Sequence, residues 1–263
     1  MKFIFINIMI GMYRGGGENY DLNLSKKLIQ EGHNVEFIFL KPIFQKINFH
    51  LPKKYIVTPV KSPWLYFWSV YISQNRFLGK LKGLRGIPRA IGQFIFEMQV
   101  FFILLKKTQD DVIIHICGLS FLGMLITVFS KKQVYTRFPG PPSYKLHYFF
   151  IRNTFAIIAN GDAFKQIQNK TSKSNLIYLN VGLNFDKFKI TQNKNQVKKK
   201  LSLSVKKNYI IFVGRLVPIK NLPLLIHALK HLFQEFLNWD LLIVGEGPDY
   251  QKVKSIALKS NVL

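Results

Sequence analysis

Short apolar runs alternate with amphipathic helical patterns along most of this chain, beginning at its first residues. An apolar run over residues 2–10 leads through three glycines into a helical pattern over 19–31, and a second apolar run follows over 35–40. Parallel strands need helical crossovers of this kind, so the alternation predicts an α/β fold with parallel sheets. Further strands are predicted over 56–60, 134–137, 156–159 and 176–179, and further helices over 149–155 and 162–168.

Two apolar segments invite a membrane interpretation that their residues argue against. Residues 1–19 superficially resemble a signal peptide, but the apolar run is short and leads into a glycine turn and a helix rather than a cleavage site. Residues 112–130 hold no Lys, Arg, Asp or Glu and are just long enough to span a bilayer. Their β-branched first half, followed by Gly118 and Ser120, favours a buried strand, a turn and a helix instead.

The charge balance points to an acidic partner. The chain has 38 Lys and Arg residues against 13 Asp and Glu, a net charge of +25, to which an AT-rich genome favouring lysine would contribute. Anionic lipid, nucleic acid and a polyanionic substrate all fit such an excess. No specific nucleic-acid partner is expected, because the cations are spread along the chain without a nucleic-acid-binding motif. The single cysteine, Cys117, excludes an internal disulfide and fits a reducing compartment.

The segment 61–107 combines aromatic residues with cations. It contains WLYFWSVY, a basic stretch from Arg76 to Arg89, and the apolar run FIFEMQVFFILL, with Glu97 as its only acid. Aromatic rings and cations together suit a membrane interface, where rings lie at headgroup level and cations meet anionic lipid. The alternative is two ordinary helices that pack on the sheet and expose a basic face.

Residues 209–229 have the pattern of a phosphate-binding site. A strand over 209–213 runs into Gly214, the cations Arg215 and Lys220 follow in a loop, and a helical pattern comes next. Glycine allows close backbone approach, a helix N-terminus favours negative charge, and cations neutralise that charge. A second strand over 240–244 then leads into the turn GEGP at 245–248 and a last helix.

The pattern divides the chain into two domains. Residues 1–185 are predicted to form the first domain, the Lys-rich segment 186–208 a linker, and residues 209–263 part of a second domain. The second domain holds only a βαβα pattern, and two parallel strands are not expected to be stable alone.

Five motifs, taken in order, resemble one known family. They are GGGENYDLNLSKKLIQEGHNV (15–35), DVIIHICG (111–118), NVGLNFDKF (180–188), FVGRLVPIKN (212–221) and LLIVGEGP (241–248). The chain is similar to retaining glycosyltransferases of the GT-B fold in family 4, also called glycosyltransferase group 1. The resemblance implies a complete N-terminal Rossmann-like domain that binds the acceptor. It also implies a partial C-terminal Rossmann-like domain that binds a nucleotide-diphosphate sugar, with chemistry between the two.

The resemblance also assigns roles to particular residues. It places Arg215 and Lys220 on the donor diphosphate. It lets the backbone N–H groups of Gly15, Gly16 and Gly17 in the donor-binding loop approach the diphosphate or, across the cleft, the acceptor. It places the turn of Gly245, Glu246 and Gly247 near the nucleotide, with a plain strand-to-helix turn as the alternative. It makes His115 the candidate catalytic residue only if the register slips, and the alternative is a histidine whose hydrogen bonds are satisfied on a buried strand. The family often has a second histidine two residues later, where this chain has Cys117, a weak hydrogen-bond donor. No metal and no separate cofactor is implied.

A second departure concerns the family's pair of glutamates spaced E-x7-E, which lies downstream of the residues present here. The expectation is therefore a C-terminally truncated glycosyltransferase that is inactive as this chain alone. It would act on a lipid-linked or polysaccharide acceptor as a peripheral protein at the cytoplasmic face of the cell membrane. A complementing C-terminal half would restore the donor domain. The alternative is a non-catalytic accessory or decayed subunit that supplies an acceptor-binding or membrane-docking module.

Overall fold

The computed structural model forms two compact units, Met1–Leu183 and Asn184–Leu263. It describes residues 1–8, 10, 16–41, 55–61, 64, 68, 82–107, 112–117, 120–130, 132–138, 140–142, 145–152, 154–171, 175–180, 182, 188–189 and 191–260. Each unit is an α/β structure with its own sheet and its own apolar core.

Unit 1 is built on a seven-stranded sheet with the order β3-β2-β1-β4-β5-β6-β7, and every neighbouring pair is parallel. The strand order reverses between β1 and β4, and in open α/β sheets ligands bind at such a reversal, beyond the carboxyl ends of the strands. The strands are β1 Lys2–Ile6, β2 Asn34–Leu40, β3 Ile56–Val60, β4 Val112–Cys117, β5 Gln133–Phe138, β6 Ala156–Ala159 and β7 Leu176–Tyr178.

Helices cover both faces of this sheet. On one face, Phe96 and Leu104 of α2 and Leu122 of α3 pack against Ile4 and Ile38. On the other face, α1 packs against a second cluster around Phe5, Phe37 and Phe39. The helices of unit 1 are α1 Gly16–Gln30, α2 Lys82–Leu105, α3 Ser120–Ser130, α4 Lys145–Ile151 and α5 Gly161–Thr171.

Unit 2 is smaller, and two of its helices pack on one face of its sheet. Its strands β8 Asn208–Val213 and β9 Trp239–Val244 pair in parallel. Helices α7 Leu222–Glu235 and α8 Tyr250–Lys259 pack on the face formed by Ile210, Phe212, Leu241 and Ile243. The opposite face carries Ile211, Val213 and Val244, which are all exposed.

The predicted elements are confirmed in most of the chain. Residues 112–130 form strand β4 and helix α3, as the strand–turn–helix interpretation requires. The helix predicted over 149–155 is displaced, because α4 ends at Ile151 and the chain then turns into β6. The first strand is shorter than the apolar run and ends at Ile6.

The Lys-rich segment 186–208 differs from the expected linker, because it contains helix α6 Lys194–Lys200 and falls within unit 2. Asn193 accepts a hydrogen bond from the backbone N–H of Asn195 at 2.9 Å and so caps the helix. Lys198 is buried, and its ammonium group donates to the backbone carbonyl of Val205 at 3.2 Å. These contacts order a segment that has few apolar positions.

One helix among the described residues, Ile87–Leu105 within α2, has the length and apolar composition of a membrane span. Only 28% of that window is buried inside the unit.

Candidate functional site

Two of the loops predicted to bind the donor meet at the carboxyl ends of β8 and β9. The backbone N–H of Leu216 donates to the carbonyl of Glu246 at 2.9 Å, and the N–H of Asp249 donates to the carbonyl of Leu216 at 3.0 Å. Strands β8 and β9 are direct neighbours, with Val213 opposite Val244, so their carboxyl ends lie side by side. The structure thus joins the FVGRLVPIKN and GEGP motifs into one surface of unit 2.

Close backbone contact explains why glycine occupies two positions of the GEGP turn. A Cβ atom on Gly245 would lie 1.8 Å from the carbonyl oxygen of Gly214, and one on Gly247 would lie 2.3 Å from that of Leu216. Real Cβ atoms do not approach backbone oxygens so closely. The two glycines therefore hold the turn against the first loop, and Glu246 between them is exposed.

The cations of the first loop lie on the surface beside the start of α7. Arg215 and Lys220 are both exposed, and Lys220 ends a short 3-10 turn, Pro218–Lys220. Asn221 then takes a left-handed conformation, with φ 47° and ψ 44°, and α7 begins at Leu222. A helix N-terminus next to two exposed cations attracts a phosphate or another anion.

A buried polar cluster lies where the strand order of unit 1 reverses. We call it the Asp21 cluster. Its centre is the Asp21 carboxylate on α1, which accepts hydrogen bonds from Asn7 at 2.6 Å and from Arg137 at 3.1 Å. Arg137 reaches Asp21 from β5, and its guanidinium group also donates to the carbonyl of Gly17 at 3.2 Å. The members of the cluster are Asn7, Gly17, Tyr20, Asp21, His115 and Arg137.

His115 lies inside this cluster and is only 5% exposed. Its Nδ1 atom is 3.6 Å from Asp21 Oδ1, which is too long for a hydrogen bond, and neither ring nitrogen has a partner among the described residues. The ring packs against Phe5 and Tyr20, with ring centroids 5.0 and 6.5 Å away. Burial, together with the nearby Arg137 charge, lowers the pKa of His115 to about 3, so its imidazole is neutral at physiological pH.

The charges of the cluster are balanced by one another. Burial raises the pKa of Asp21 above its ordinary value, and the positive charge of Arg137 opposes that shift. The guanidinium carbon of Arg137 lies 4.5 Å from the centre of the Tyr20 ring, which adds a cation–π contact. Burial also raises the pKa of Tyr20, so its hydroxyl stays protonated.

A pocket of about 260 Å³ opens beside the cluster. Its wall includes the N-terminal end of α1 at Gly16 and Gly17, as well as Tyr20, Arg137 and Asn160. Backbone N–H groups of a helix start and a guanidinium group suit a polar or anionic group of a ligand. The pocket is small enough to take one sugar ring or one phosphate rather than a long chain.

The sequence predictions located part of this arrangement. Gly16 and Gly17 line the pocket, whereas Gly15 lies outside the described residues. His115 is buried and does not line the pocket, and the side chain of Cys117 is outside the described part of the chain. The sequence reasoning missed Asn7, Tyr20, Asp21 and Arg137. An Arg inside an otherwise uncharged strand and an Asp on the inner face of α1 were the available signals.

No group of three or more His, Cys, Asp or Glu side chains placed to hold a metal ion occurs within the described ranges. The prediction that no metal takes part stays a prediction.

Known proteins resemble this chain in sequence over its last 71 residues and in fold over nearly all of it. Residues 193–263 match the family described as glycosyl transferases group 1. No curated protein sequence matches the chain. Solved structures share its fold. Trehalose-6-phosphate synthase OtsA is 13% identical with a TM-score of 0.70, and the match covers 99% of this chain and 69% of OtsA.

Two other structures show the same relationship. TarM of S. aureus is 12% identical, with a TM-score of 0.64 and coverage of 99% of this chain and 75% of TarM. WaaG, a glycosyltransferase involved in lipopolysaccharide biosynthesis, is 16% identical, with a TM-score of 0.61 and coverage of 99% and 67%. Residues 193–263 therefore match the group 1 glycosyl transferases, and the chain shares part of the fold of the GT-B glycosyltransferases.

Proposed function

We propose that the chain takes part in the transfer of a sugar from a nucleotide-diphosphate donor to an acceptor, with unit 2 holding the donor. The observation that carries this proposal is the surface formed where the loops after β8 and β9 hydrogen-bond to each other beside Arg215 and Lys220. The match of residues 193–263 to glycosyl transferases supports it.

The chemistry of the leaving group explains why two cations suit this position. Breaking the bond between the sugar and the diphosphate develops negative charge on the phosphate oxygens. In this proposal Arg215 and Lys220 bind those oxygens and stabilise the charge as it grows. The start of α7 adds a favourable dipole next to them. Gly245, Glu246 and Gly247 lie at the same surface and would approach the nucleotide.

The solved neighbours support a nucleoside diphosphate as the ligand. A trehalose-6-phosphate synthase structure from E. coli holds UDP-2-fluoro glucose, and HepE of Anabaena was solved with UDP and glucose. These ligands belong to those proteins. For this chain we propose the nucleoside diphosphate class and leave the base, UDP or GDP, to the measurement.

For the acceptor we propose a lipid-linked or polysaccharide glycan that unit 1 binds at the cytoplasmic face of the membrane. The pocket beside Arg137 and the N-terminal end of α1 is the place for its reactive end. The lipopolysaccharide role of WaaG supports this acceptor class, and so does the positive charge of the chain. His115, held neutral, would act through hydrogen bonds rather than as a charged group, and its catalytic role stays a prediction.

The test is release of nucleoside diphosphate from a set of UDP- and GDP-sugars in the presence of a membrane lipid extract. Release that depends on the extract and that the double variant Arg215→Ala/Lys220→Ala loses would show that this chain transfers sugar itself, against the sequence expectation that it is inactive alone. The matched control is Lys230→Ala/Lys259→Ala, which removes two exposed charges from α7 and α8 and leaves the loop intact. Equal release above the protein-free background by all three proteins would show that the loop does not hold the donor.

The alternative is an accessory module that binds but does not transfer. The exposed apolar face of β8 and β9, with Ile211, Val213 and Val244, favours it, because parallel sheets are usually covered on both faces. A complementing polypeptide that covers this face would supply the remaining donor-domain residues. Donor binding without release would support this alternative, and release on addition of the complementing polypeptide would identify a split enzyme.

A further inference from the structure

We propose that unit 1 docks on an anionic lipid bilayer through an apolar patch on α2 and the end of α3. The proposal deepens the membrane location proposed above by naming the surface that makes the contact. It depends on no part of the donor chemistry of unit 2.

The main part of the patch is a straight stripe along α2. Its members follow one another at spacings of four, three, four, four and three residues, which keeps them on one side of an α-helix. Five of the six are exposed, by 45% to 65%, and Met98 is half-buried. The members of the stripe are Ile87, Ile91, Phe94, Met98, Phe102 and Leu105.

The opposite side of α2 belongs to the core of unit 1. Phe96 and Val100 are fully buried against the sheet, and Leu104 is nearly so. A helix whose one side packs on a sheet cannot cross a bilayer, although its length and composition would allow a span. It can lie along the surface, where its 19 residues from Ile87 to Leu105 extend over about 27 Å.

The end of α3 widens the stripe into a patch. Val128 and Phe129 are 59% and 67% exposed, and the Phe129 ring lies 6.1 Å from the ring of Phe101 on α2. Soluble proteins rarely expose a continuous apolar surface of this kind without a partner that covers it. We therefore expect an apolar partner to cover this patch when the protein functions.

Charge selects anionic lipid as that partner. Arg89 and Lys106 are exposed near the two ends of the stripe, and the chain carries a net charge of +25. Two copies of such a chain repel each other, whereas anionic headgroups attract it and the acyl region accepts the apolar side chains. The patch is flanked by cations in the way that amphipathic helices at membrane surfaces are.

The experiment is co-sedimentation of the full chain with phosphatidylcholine vesicles that contain or lack phosphatidylglycerol, in the absence of nucleotide. The test variant is Ile87→Gln/Phe94→Gln/Leu105→Gln, which removes three exposed side chains of the stripe. The matched control is Phe236→Gln/Leu237→Gln/Leu258→Gln, which removes one phenylalanine and two aliphatic side chains exposed on unit 2. Circular dichroism checks that both variants keep the fold.

We expect the wild type and the control to bind phosphatidylglycerol vesicles more tightly than neutral ones, and the stripe variant to lose at least about tenfold in partitioning. Added salt should weaken wild-type binding without abolishing it, because the apolar part is not screened. Equal binding of the stripe variant and the wild type would overturn the proposal, since cations alone would then make the contact. A wild type that ignores the vesicles but forms a dimer disrupted in the stripe variant would overturn it in favour of a second copy.

Donor binding distinguishes the failure of this proposal from that of the proposed function. The stripe variant should titrate UDP or GDP as the wild type does, because its substitutions lie on unit 1. Loss of vesicle binding with intact nucleotide binding supports both proposals. Intact vesicle binding in the stripe variant overturns the docking surface alone.

Discussion

Asp21 and Arg137 form the buried ion pair at the reversal point of the unit 1 sheet. Both side chains are almost completely buried, and the carboxylate and guanidinium are 3.1 Å apart. A buried pair repays its desolvation only while both partners are present, and the loss of one leaves the other charge without compensation. The pair therefore makes α1 and β5 depend on each other, although 116 residues separate the two side chains.

Substitution of Asp21 by Asn should destabilise unit 1 by about 3–5 kcal/mol, because it leaves the Arg137 charge buried without its carboxylate. Asp240→Asn is the matched control, since Asp240 pairs with Lys207 at 2.8 Å on the surface of unit 2, where both side chains are partly exposed. The control should cost much less, because solvent screens a pair whose side chains are both partly exposed. Urea unfolding followed by circular dichroism measures both values. Similar small losses in the two variants would contradict a buried, mutually dependent pair.

Glu97 is another buried acid, on helix α2. It is 4% exposed and accepts a hydrogen bond from Gln93 at 2.9 Å. Burial raises its pKa to about 7, against the smaller lowering effects of the Gln93 hydrogen bond and of a backbone hydrogen bond from Leu122 near the start of α3. Glu97 therefore gains a proton near neutral pH in the folded state and near 4.5 in the unfolded chain.

The pH dependence of stability follows from these two pKa values. Between about pH 4.5 and 7 the folded state holds a proton that the unfolded state has lost, so stability falls as the pH rises through this window. The difference amounts to about 3 kcal/mol. Glu97→Gln should remove this dependence and be more stable than the wild type at pH 8.5, with little difference at pH 4. Urea unfolding of both proteins at pH 4 and at pH 8.5 measures the two free energies of unfolding. A constant difference between them would show that Glu97 does not titrate in this window.

The two loops of unit 2 form a single element because two glycines allow them to touch. Leu216 and Glu246 share a backbone hydrogen bond of 2.9 Å, and the Gly245 backbone lies directly against the carbonyl of Gly214. Close packing therefore explains the glycine at position 245 without reference to any ligand. The same contact fixes the loop that carries Arg215, so stability and anion binding depend on one geometry.

Gly245→Ala should therefore destabilise unit 2 strongly, by about 3 kcal/mol or more, because its Cβ would meet backbone that cannot give way. Gly214→Ala is the comparison within the same contact. Its Cβ would lie 3.3 Å from the Phe212 ring, a side chain that can move, so we expect a loss below about 1 kcal/mol. Thermal unfolding of the two variants gives the difference. Equal melting temperatures would show that the two loops do not touch as described.

The elements were predictable where their pattern is local. The first βαβ unit, strand β3 and the strand–helix pair over 112–130 follow from apolar spacing and from glycine turns. The helix within the expected linker 186–208 was not, because Lys198 hydrogen-bonds to backbone carbonyls that follow it in the chain and so orders a segment with few apolar residues. The loop cations and the GEGP turn were also readable, since each lies next to its own strand.

The Asp21 cluster was beyond sequence reasoning for a physical reason. Asn7, Asp21 and Arg137 come from three elements, and only the parallel pairing of β1, β4 and β5 brings them together. A polar residue inside an apolar pattern indicates that a partner exists, but the spacing along one chain does not say which. The same limit applied to His115, whose buried position between Phe5 and Tyr20 depends on neighbouring strands and on α1.

The candidate binding sites of the molecule are distributed over its two units. Unit 1 has the reversal of strand order, the pocket beside Arg137 and the apolar patch on α2, whereas unit 2 has the cationic loop and its glycine turn. The charge of +25 is a property of the entire chain and suits anionic ligands at both units. The central claim concerns unit 2, because recognition of a diphosphate there is what ties the fold to sugar transfer.

Calorimetric titration of UDP and UMP, and of GDP and GMP, into the wild type and into Arg215→Ala/Lys220→Ala tests that claim most directly. Each pair of ligands differs only in the second phosphate, which the two cations are proposed to hold. We expect the wild type to prefer the diphosphate by at least about tenfold and the double variant to lose that preference, while Lys230→Ala/Lys259→Ala keeps it. A wild type that binds mono- and diphosphate equally, or a double variant that still prefers the diphosphate, would contradict the claim.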